Sequence, residues 1–278
     1  DHGFRLIEKG IDGAAGKRLS GVIASVWPNL SLPGIWGLFA KNHMPVIRDE
    51  TYIFSMCEHP VSERVRDFGR LSMWRYYGGA ASPVALVINS FKTAFVPSDA
   101  AGMYTFPVEY VIPEEDGLCG LANWILLEFD AIAQALADNR SRLLGVPENV
   151  AMGYMMRVFH LMGLRTKHVA FEEEREWRVI CTPYFSGPLP PTTPEVTSYF
   201  GSPQKIVRLR LGKYSQDGGT PLDLSLGNIL HRVLIGPVQD ADLIRHSIIV
   251  KLEQAGVPNP ASIVEMTNIP VRASKGRP

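Results

Sequence analysis

An acidic stretch that runs into an arginine carries the clearest chemical signal in this sequence. Residues 171–180 read FEEEREWRVI, so that carboxylates crowd the start of an aromatic and β-branched segment. Tryptophan, valine and isoleucine favour a pleated surface, which predicts a strand entered from an acidic loop. Because side chains alternate along a strand, Glu174, Glu176 and Arg178 are predicted to share one face.

Charges on one face of a buried strand need partners, because desolvating an unpaired charge is costly. Trp177 and Val179 would face inward from the opposite side of this strand. In one interpretation, Arg178 forms a structural ion pair with Glu174 or Glu176. In the other, Arg178 holds a carboxylate that binds a substrate. The stretch alone leaves both interpretations open.

A second group of polar residues ends the strand predicted at Thr51–Cys57. Ser55, Cys57 and Glu58 are candidates, since the ends of buried strands often carry binding and catalytic residues. Ser55 also has a simpler explanation as a hydroxyl satisfied by backbone, and Cys57 as a small buried side chain. The sequence contains no G-x-S-x-G motif, so Ser55 is not expected to be a nucleophile.

An aromatic segment at Leu71–Tyr77 is predicted to form a short helix that ends at two glycines. Trp74, Tyr76 and Tyr77 would form an aromatic wall on this helix. Such a wall could stack a planar ligand ring, or it could belong to the hydrophobic core. The sequence leaves both roles open.

The order of the elements predicts the architecture. Strands come first, a helical part follows at 116–163, and strands return after it, without a regular βαβ alternation. This order predicts an α+β fold, with a central mixed or antiparallel sheet and an inserted helical pair, in a single domain of residues 1–278. The predicted elements include a fully buried strand at Pro83–Asn89, strands at Met103–Ile112 and Lys205–Leu211, and helices at Leu118–Leu144 and Glu148–Met162.

Composition narrows the class of protein. The 278-residue chain is 46% hydrophobic and has 28 basic and 28 acidic residues, so no overall charge favours nucleic acid or an anionic membrane. Its three cysteines are far apart, which predicts neither a disulfide framework nor a metal site and favours a reducing cytosol. No apolar run is long enough for a membrane span, and the first residues do not resemble a signal peptide. We therefore expect a cytoplasmic protein whose natural chain begins before Asp1.

Seven segments follow one another in a characteristic order: 52–58, 71–77, 84–89, 167–168, 171–180, 233–237 and 269–272. In this order they resemble the bacterial domain-of-unknown-function family 2971. The ordered set carries the resemblance, which covers most of the chain from residue 50 onward. Members usually begin with a tyrosine-containing strand and an Asn-Asp-Pro turn, of which only Asp1 would remain here. The family implies no settled activity.

A second, more distant resemblance is to ADP-ribosyltransferases. Residues 54–56, FSM, are similar to the serine motif of these enzymes, and residues 174–176, ERE, are similar to their Glu-x-Glu motif. The arginine or histidine that these enzymes carry on a first strand would precede Asp1. The second serine of their commonest Ser-Thr-Ser motif has no counterpart here. The resemblance implies NAD as a substrate and requires no further cofactor.

This resemblance implies a role for each candidate residue. Glu176 would stabilise the oxocarbenium-like cation that forms when the nicotinamide–ribose bond breaks, and Glu174 would orient the acceptor. Ser55 would position the ribose or brace Glu176. The implied ligand-binding residues are Trp74 and Tyr77, which would stack nicotinamide, together with Lys167, His168 and Arg178.

Two other functions compete with NAD cleavage. The chain could be a non-catalytic sensing or interaction domain of a defence or toxin module, in which the acidic strand and Arg178 form a structural ion-pair network. It could also be a hydrolase of another substrate class. A small nucleotide is the partner that the sequence favours, and no particular protein partner is predicted.

Overall fold

The computed structural model describes residues 2–59, 63–78, 83–89, 103–111, 122–182, 194–199, 201–208, 211–214 and 222–270. The chain divides into two compact units. The first comprises 1–57, 95–191 and 195–206, and the second comprises 58–94, 192–194 and 207–278. Helices and small mixed and antiparallel sheets confirm the predicted α+β class. The prediction of a single domain stays a prediction.

The described α-helices are, in chain order, α1 (His2–Asp12), α2 (Ala14–Val26), α3 (Leu32–Asn42), α4 (Met44–Glu50), α5 (Glu63–Phe68), α6 (Leu71–Tyr77), α7 (Ala122–Asp138), α8 (Arg140–Leu143), α9 (Glu148–Arg165), α10 (Leu226–Ile229) and α11 (Ala241–Gln254). Short 3₁₀ helices span Val169–Glu174 and Pro260–Ser262. None of the described helices combines the length and the apolar character that a membrane crossing needs.

The described strands are β1 (Tyr52–Cys57), β2 (Val84–Ile88), β3 (Met103–Pro107), β4 (Glu109–Val111), β5 (Thr166–His168), β6 (Glu176–Cys181), β7 (Glu195–Tyr199), β8 (Ser202–Ile206), β9 (Lys213–Tyr214), β10 (Leu222–Asp223), β11 (Leu230–Ile235) and β12 (Val264–Met266). In the first unit, β1, β6 and β3 form a sheet, β4 pairs with β5, and β7 pairs with β8. In the second unit, β12, β11 and β2 form a sheet, and β10 pairs with β9.

The first unit contains a helical core. Apolar side chains of α1, α2, α3, α7 and α9 meet there, and Phe39, Phe129 and Phe159 are fully buried. Each buried side chain of this size contributes about 1.5–3 kcal/mol, because its apolar surface leaves water. The helical pair predicted at 116–163 packs on the N-terminal helices, with α7 against α2 and α9 against α1.

The helix predicted at Leu118–Leu144 is divided into α7 and α8. Asn139 lies between them, with a backbone conformation of φ −105° and ψ 13°. Its side-chain amide donates to the Ala135 carbonyl at 2.9 Å. Asparagine side chains compete for backbone groups in this way, which disfavours them inside helices. Residues 118–121 of the predicted helix lie outside the described part of the chain.

The three-stranded sheet of the first unit has β6 at its centre, antiparallel to both β1 and β3. The strand predicted at Thr51–Cys57 corresponds to β1. The strand predicted at Met103–Ile112 is split at Val108, whose N–H donates to the Glu176 carbonyl at 2.8 Å, and Ile112 is outside the described residues. After this point, β4 pairs in parallel with β5. The β3–β4 segment therefore brings β5 and β6 close together.

The second unit contains a mixed sheet. β11 pairs in parallel with β12 and antiparallel with β2. Val233 and Ile235 of β11 are fully buried and pack with Leu252 of α11. β11 is therefore one wall of a small second core.

Two other predicted strands differ from the structure. The strand predicted at Lys205–Leu211 begins and ends earlier, because β8 forms an antiparallel hairpin with β7 over Ser202–Ile206. The strand predicted at Pro83–Asn89 corresponds to β2 but is not fully buried, since Leu86 is 59% exposed. β2 lies at the end of the order β12-β11-β2. A continuous apolar run does not reveal whether a strand is central or terminal in its sheet.

The close crossing of α1 and α9 yields a stability prediction. A Cβ atom added to Gly163 would collide with the Phe4 ring, and one added to Gly3 would collide with the Gly163 carbonyl. Replacing Gly163 by Ala should therefore overpack this crossing and lower the free energy of unfolding by about 1–3 kcal/mol. Urea denaturation of the purified variant measures this change.

Gly153 on the same helix provides the matched control. A Cβ atom added there meets no heavy atom of the described residues within 4 Å. Gly153→Ala is expected to stabilise the protein by about 0.5–1 kcal/mol, because alanine has the higher helix propensity. Equal stabilisation by Gly153→Ala and Gly163→Ala would contradict the close crossing.

Candidate functional site

Glu176 begins β6, where several elements of the first unit meet. α9 passes directly into β5, and the 3₁₀ helix that follows ends at Glu174. Arg175 then adopts a left-handed conformation with φ 43°, and the extended backbone of β6 begins after it. The Glu176 N–H donates to the Tyr110 hydroxyl of β4 at 2.7 Å. These backbone contacts position the Glu176 side chain.

Donors surround the Glu176 carboxylate. Ser55 Oγ donates to Oε1 at 2.5 Å, and Arg178 Nε donates to the same oxygen at 2.8 Å. Lys167 Nζ donates to Oε2 at 2.8 Å, and Arg178 Nη2 donates to that oxygen at 3.3 Å. Each oxygen thus has two donors, which occupy the roughly four lone-pair sites of a carboxylate. Only 3% of Glu176 is exposed to solvent.

The environment keeps Glu176 ionised. Burial alone would raise the pKa of its carboxyl group, because burial disfavours the charged form. Hydrogen bonds from Arg178, Lys167 and Ser55 outweigh burial and lower that pKa from 4.5 to about 2. Glu176 is therefore a carboxylate at neutral pH, where it can accept hydrogen bonds or stabilise positive charge but cannot donate a proton.

Lys167 connects Glu176 to Glu174. Its ammonium group donates to Glu174 Oε2 at 2.7 Å and to Glu176 Oε2 at 2.8 Å. The Phe171 ring lies against the same ammonium, with Nζ 4.8 Å from the ring centroid, which is a cation–π distance. Burial lowers the pKa of Lys167, but the hydrogen bonds to both carboxylates outweigh it and raise that pKa above its ordinary value.

Arg178 ties the carboxylate to the end of α9. Its Nη1 donates to the Leu164 carbonyl, while Nε and Nη2 donate to Glu176. A guanidinium group is planar and rigid, so these contacts hold β6 and the last turn of α9 in one arrangement. The structural ion pair that the sequence suggested is therefore present, between Arg178 and Glu176.

Ser55, Lys167, Glu174, Glu176 and Arg178 are called here the Glu176 cluster. The sequence singled out all five, and the structure brings them together. The cluster contains two carboxylates, one ammonium and one guanidinium, so its formal charges balance. Balanced and hydrogen-bonded charges are the condition under which burial of an ion pair is tolerated.

The prediction that Glu174 lies on the strand face is wrong. Glu174 belongs to the 3₁₀ helix, and a left-handed residue separates it from β6. Glu174 reaches Glu176 through the ammonium of Lys167. Arg178 does share a face with Glu176, because their side chains are paired. Of the two residues predicted to face inward, Val179 is buried and Trp177 is half-buried.

The β1–β6 register explains how Ser55 reaches the cluster. Ser55 lies opposite Arg178, and Cys57 lies opposite Glu176. The Ser55 side chain therefore contacts Glu176 diagonally across two neighbouring strands. Its hydroxyl donates to a carboxylate rather than to backbone. Cys57 is exposed rather than buried, and Glu58 belongs to the second unit.

Trp74 and Tyr77 belong to the second unit, whereas the Glu176 cluster belongs to the first. Trp74 is 9% exposed, and its indole N–H donates to the Phe68 carbonyl at 2.7 Å. A Cβ atom added to Gly236 would lie 2.7 Å from the Trp74 ring, so the ring packs directly on that glycine. These contacts favour a packing role for Trp74. Tyr77 is 64% exposed, and nicotinamide stacking by either ring stays a prediction.

His168 helps to form the backbone beside the cluster. Its Nδ1 accepts the Ala170 N–H at 3.1 Å, which caps the 3₁₀ helix that carries Glu174. The His168 ring lies 6.1 Å from the ring of His2, and burial lowers the pKa of His2. These contacts support a positioning role for His168, and its predicted contact with a ligand stays a prediction.

Sequence reasoning missed Tyr110 and Leu164 as parts of the site. Tyr110 holds the Glu176 N–H, and burial raises the pKa of its phenol. Its signal was a hydroxyl group in a predicted strand that also carries Glu109. Leu164 contributes a main-chain carbonyl, which a side-chain pattern does not reveal. Across the described part of the chain, no group of three or more histidine, cysteine, aspartate or glutamate residues could hold a metal ion.

The lowered pKa of Glu176 predicts how stability depends on pH. The folded value lies below the ordinary one, so the stabilisation is complete above pH 4.5 and is lost as pH falls toward about 2. A fall in pKa from 4.5 to about 2 corresponds to roughly 3 kcal/mol in the free energy of unfolding. Glu176→Gln should remove this part of the acid sensitivity.

Urea denaturation at a series of pH values checks this expectation. Glu50→Gln is the control, because Glu50 also pairs with a lysine, Lys205, but at an exposed position. The pH dependence of Glu50→Gln should follow the wild type, since exposed ion pairs contribute little. An unchanged pH dependence in Glu176→Gln would contradict the proposed pairing of Glu176.

The comparisons with known proteins found no match for this chain. No protein-family model, no curated protein and no solved structure matches the chain. The Glu176 cluster and its surroundings are therefore the basis for a functional proposal.

Proposed function

We propose that this chain is an enzyme that cleaves the bond between nicotinamide and ribose in NAD. The ADP-ribosyl group would pass to water, as in NAD hydrolysis, or to an acceptor, as in ADP-ribosyl transfer. The proposed setting is the bacterial cytoplasm, which the resemblance to family 2971 and the wide spacing of the three cysteines in sequence favour. NAD is the substrate in this proposal, and no separate cofactor is required.

One contact carries the proposal, the hydrogen bond from Ser55 Oγ to Glu176 Oε1. The resemblance to ADP-ribosyltransferases implies that a serine on one strand braces a glutamate that begins another. Ser55 and Glu176 are 121 positions apart in sequence, and their side chains are in contact across β1 and β6. The serine of one motif and the glutamate of the other are therefore in direct contact, which supports a common site.

The chemistry requires an ionised carboxylate in a defined position. As the glycosidic C–N bond breaks, its electron pair leaves with nicotinamide, and positive charge develops on the ribose C1 and ring oxygen. A carboxylate that is already ionised stabilises this developing positive charge electrostatically. Water or an acceptor hydroxyl then bonds to C1 and gives up its proton to a base. Glu174, which is 8% exposed, would orient the acceptor.

The complete set of donors around Glu176 favours a second candidate function. A carboxylate with two donors on each oxygen and 3% exposure offers no lone pair to a ribose hydroxyl in this conformation. This observation supports a non-catalytic sensing or interaction domain, as in a defence or toxin module, in which the cluster is a structural ion-pair network. NAD cleavage requires at least one donor to leave the carboxylate first.

Release of free nicotinamide from NAD distinguishes the two candidates. The wild-type protein is expected to release nicotinamide, and Glu176→Gln should slow the release on the order of a hundredfold or more, because a neutral amide does not stabilise the developing cation. Ser55→Ala should slow it about tenfold, since a hydrogen bond to a charged group is lost. Glu174→Gln should impair transfer to an acceptor more than hydrolysis.

Glu50→Gln again serves as the matched control and should release nicotinamide at the wild-type rate. Circular dichroism and urea denaturation establish that each variant is folded. Nicotinamide release that Glu176→Gln leaves unchanged would refute the proposed mechanism. A folded wild-type protein that releases no nicotinamide would favour the non-catalytic candidate.

A further inference from the structure

Phe171 is an aromatic residue that contacts the Glu176 cluster without belonging to it. It lies in the 3₁₀ helix Val169–Glu174, and the centroid of its ring is 4.8 Å from Lys167 Nζ. Phe171 is 41% exposed, so the burial of apolar surface is a weak explanation for the position of its ring. Attraction between the ring face and the ammonium is a separate reason for the ring to lie there.

The two cations of the cluster are held in different ways. Arg178 is a planar and rigid group, and it donates to the Leu164 carbonyl as well as to Glu176. Lys167 carries its ammonium on a flexible stem of four carbons, and its described hydrogen bonds go to Glu174 and Glu176. The position of a flexible ammonium depends on every group around it, and the Phe171 ring is one of these groups.

The ring can act on the lysine in two ways. The negative face of an aromatic ring attracts an ammonium, and the ring also keeps water away from one side of it. Water reaches the Lys167 side chain, which is 20% exposed, more easily than the Glu176 side chain, which is 3% exposed. Solvent weakens an ion pair, so a ring that covers the lysine strengthens its contact with Glu176.

We propose that Phe171 is a positioning residue, whose ring holds the Lys167 ammonium against Glu176 Oε2 and so keeps a positive charge fixed beside the carboxylate. The other titratable and charged groups around this ammonium are Glu174, Tyr110 and Arg178. The role of Phe171 in catalysis rests on the proposed function, because it acts through Glu176. The positioning of Lys167 does not rest on that function.

Replacing Phe171 by pentafluorophenylalanine tests the ring–ammonium contact. The fluorine atoms nearly keep the shape and the apolar character of the ring but withdraw electrons from its faces, so the ring no longer attracts a cation. Acetic anhydride acylates accessible amines, and mass spectrometry then measures the acetylated fraction of Lys167. This fraction should rise several-fold in the fluorinated protein. Lys205, which pairs with Glu50 at 2.7 Å, is the internal control and should be acetylated equally in both proteins.

The titration midpoint of the Glu176 carboxyl group gives a second readout. The hydrogen bond from Lys167 lowers the pKa of Glu176, so a more mobile Lys167 should raise the midpoint by about one pH unit. Carbon-13 NMR of protein labelled at glutamate side chains measures this midpoint. If acid unfolds the fluorinated protein first, as circular dichroism would show, acetylation at neutral pH decides alone.

Two further proteins separate attraction by the ring from other effects. Pentafluorophenylalanine in place of Phe54, which is 57% exposed on β1, should change neither readout, because no described cation lies over that ring. Phe171→Leu keeps an apolar side chain but removes the ring face, so it should also raise the acetylated fraction of Lys167. A leucine that protects Lys167 as well as phenylalanine does would show that apolar bulk suffices and would overturn the proposal.

Equal acetylation of Lys167 in the wild-type and fluorinated proteins would also overturn the proposal. Both readouts are measured without NAD, so they separate this role from the proposed function. A wild-type protein that releases no nicotinamide would refute the enzyme and keep the positioning role. Nicotinamide release by a protein in which fluorination of Phe171 changes neither readout would refute the positioning role alone.

Discussion

The burial of one ionised carboxylate constrains the organisation of the first unit. Removing the Glu176 charge from water costs several kcal/mol unless protein donors replace the lost solvent. The donors come from β1, β5 and β6, and β4 holds the backbone of Glu176 through the Tyr110 hydroxyl. A slip of one residue in the β1–β6 register would turn Ser55 to the other face of the sheet. The hydrogen bond from Ser55 to Glu176 therefore favours one register of β1 against β6.

The same contacts create a conflict between stability and chemistry. Arg178, Lys167 and Ser55 keep Glu176 ionised, which an electrostatic role in NAD cleavage requires, but they also occupy both carboxylate oxygens. A purely structural network has no need of a donor that can leave. The Lys167 side chain is 20% exposed, and its described hydrogen bonds go to the carboxylates of Glu174 and Glu176. Departure of a donor from Glu176 when a ligand binds would distinguish a closed active site from a structural ion pair.

Local patterns predicted much of this fold and four of the five residues of the Glu176 cluster, whereas Lys167 was named only through the resemblance to known families. The apolar runs of β1 and β6 and the polar residues beside them pointed to Ser55 and Glu176. Local patterns did not predict that Arg175 adopts a left-handed conformation, because residues other than glycine rarely have positive φ. The break at Val108 and the exposure of Leu86 depend on partners that are distant in sequence, so they follow only from the assembled sheets.

The titration of the Glu176 carboxyl group tests the central claim most directly. Carbon-13 NMR of protein labelled at glutamate side chains follows this group, and the signal that disappears in Glu176→Gln assigns it. A carboxylate held by Ser55, Lys167 and Arg178 should titrate with a midpoint near pH 2. A midpoint near the ordinary value of 4.5 would show that these donors do not hold the carboxylate and would contradict the account.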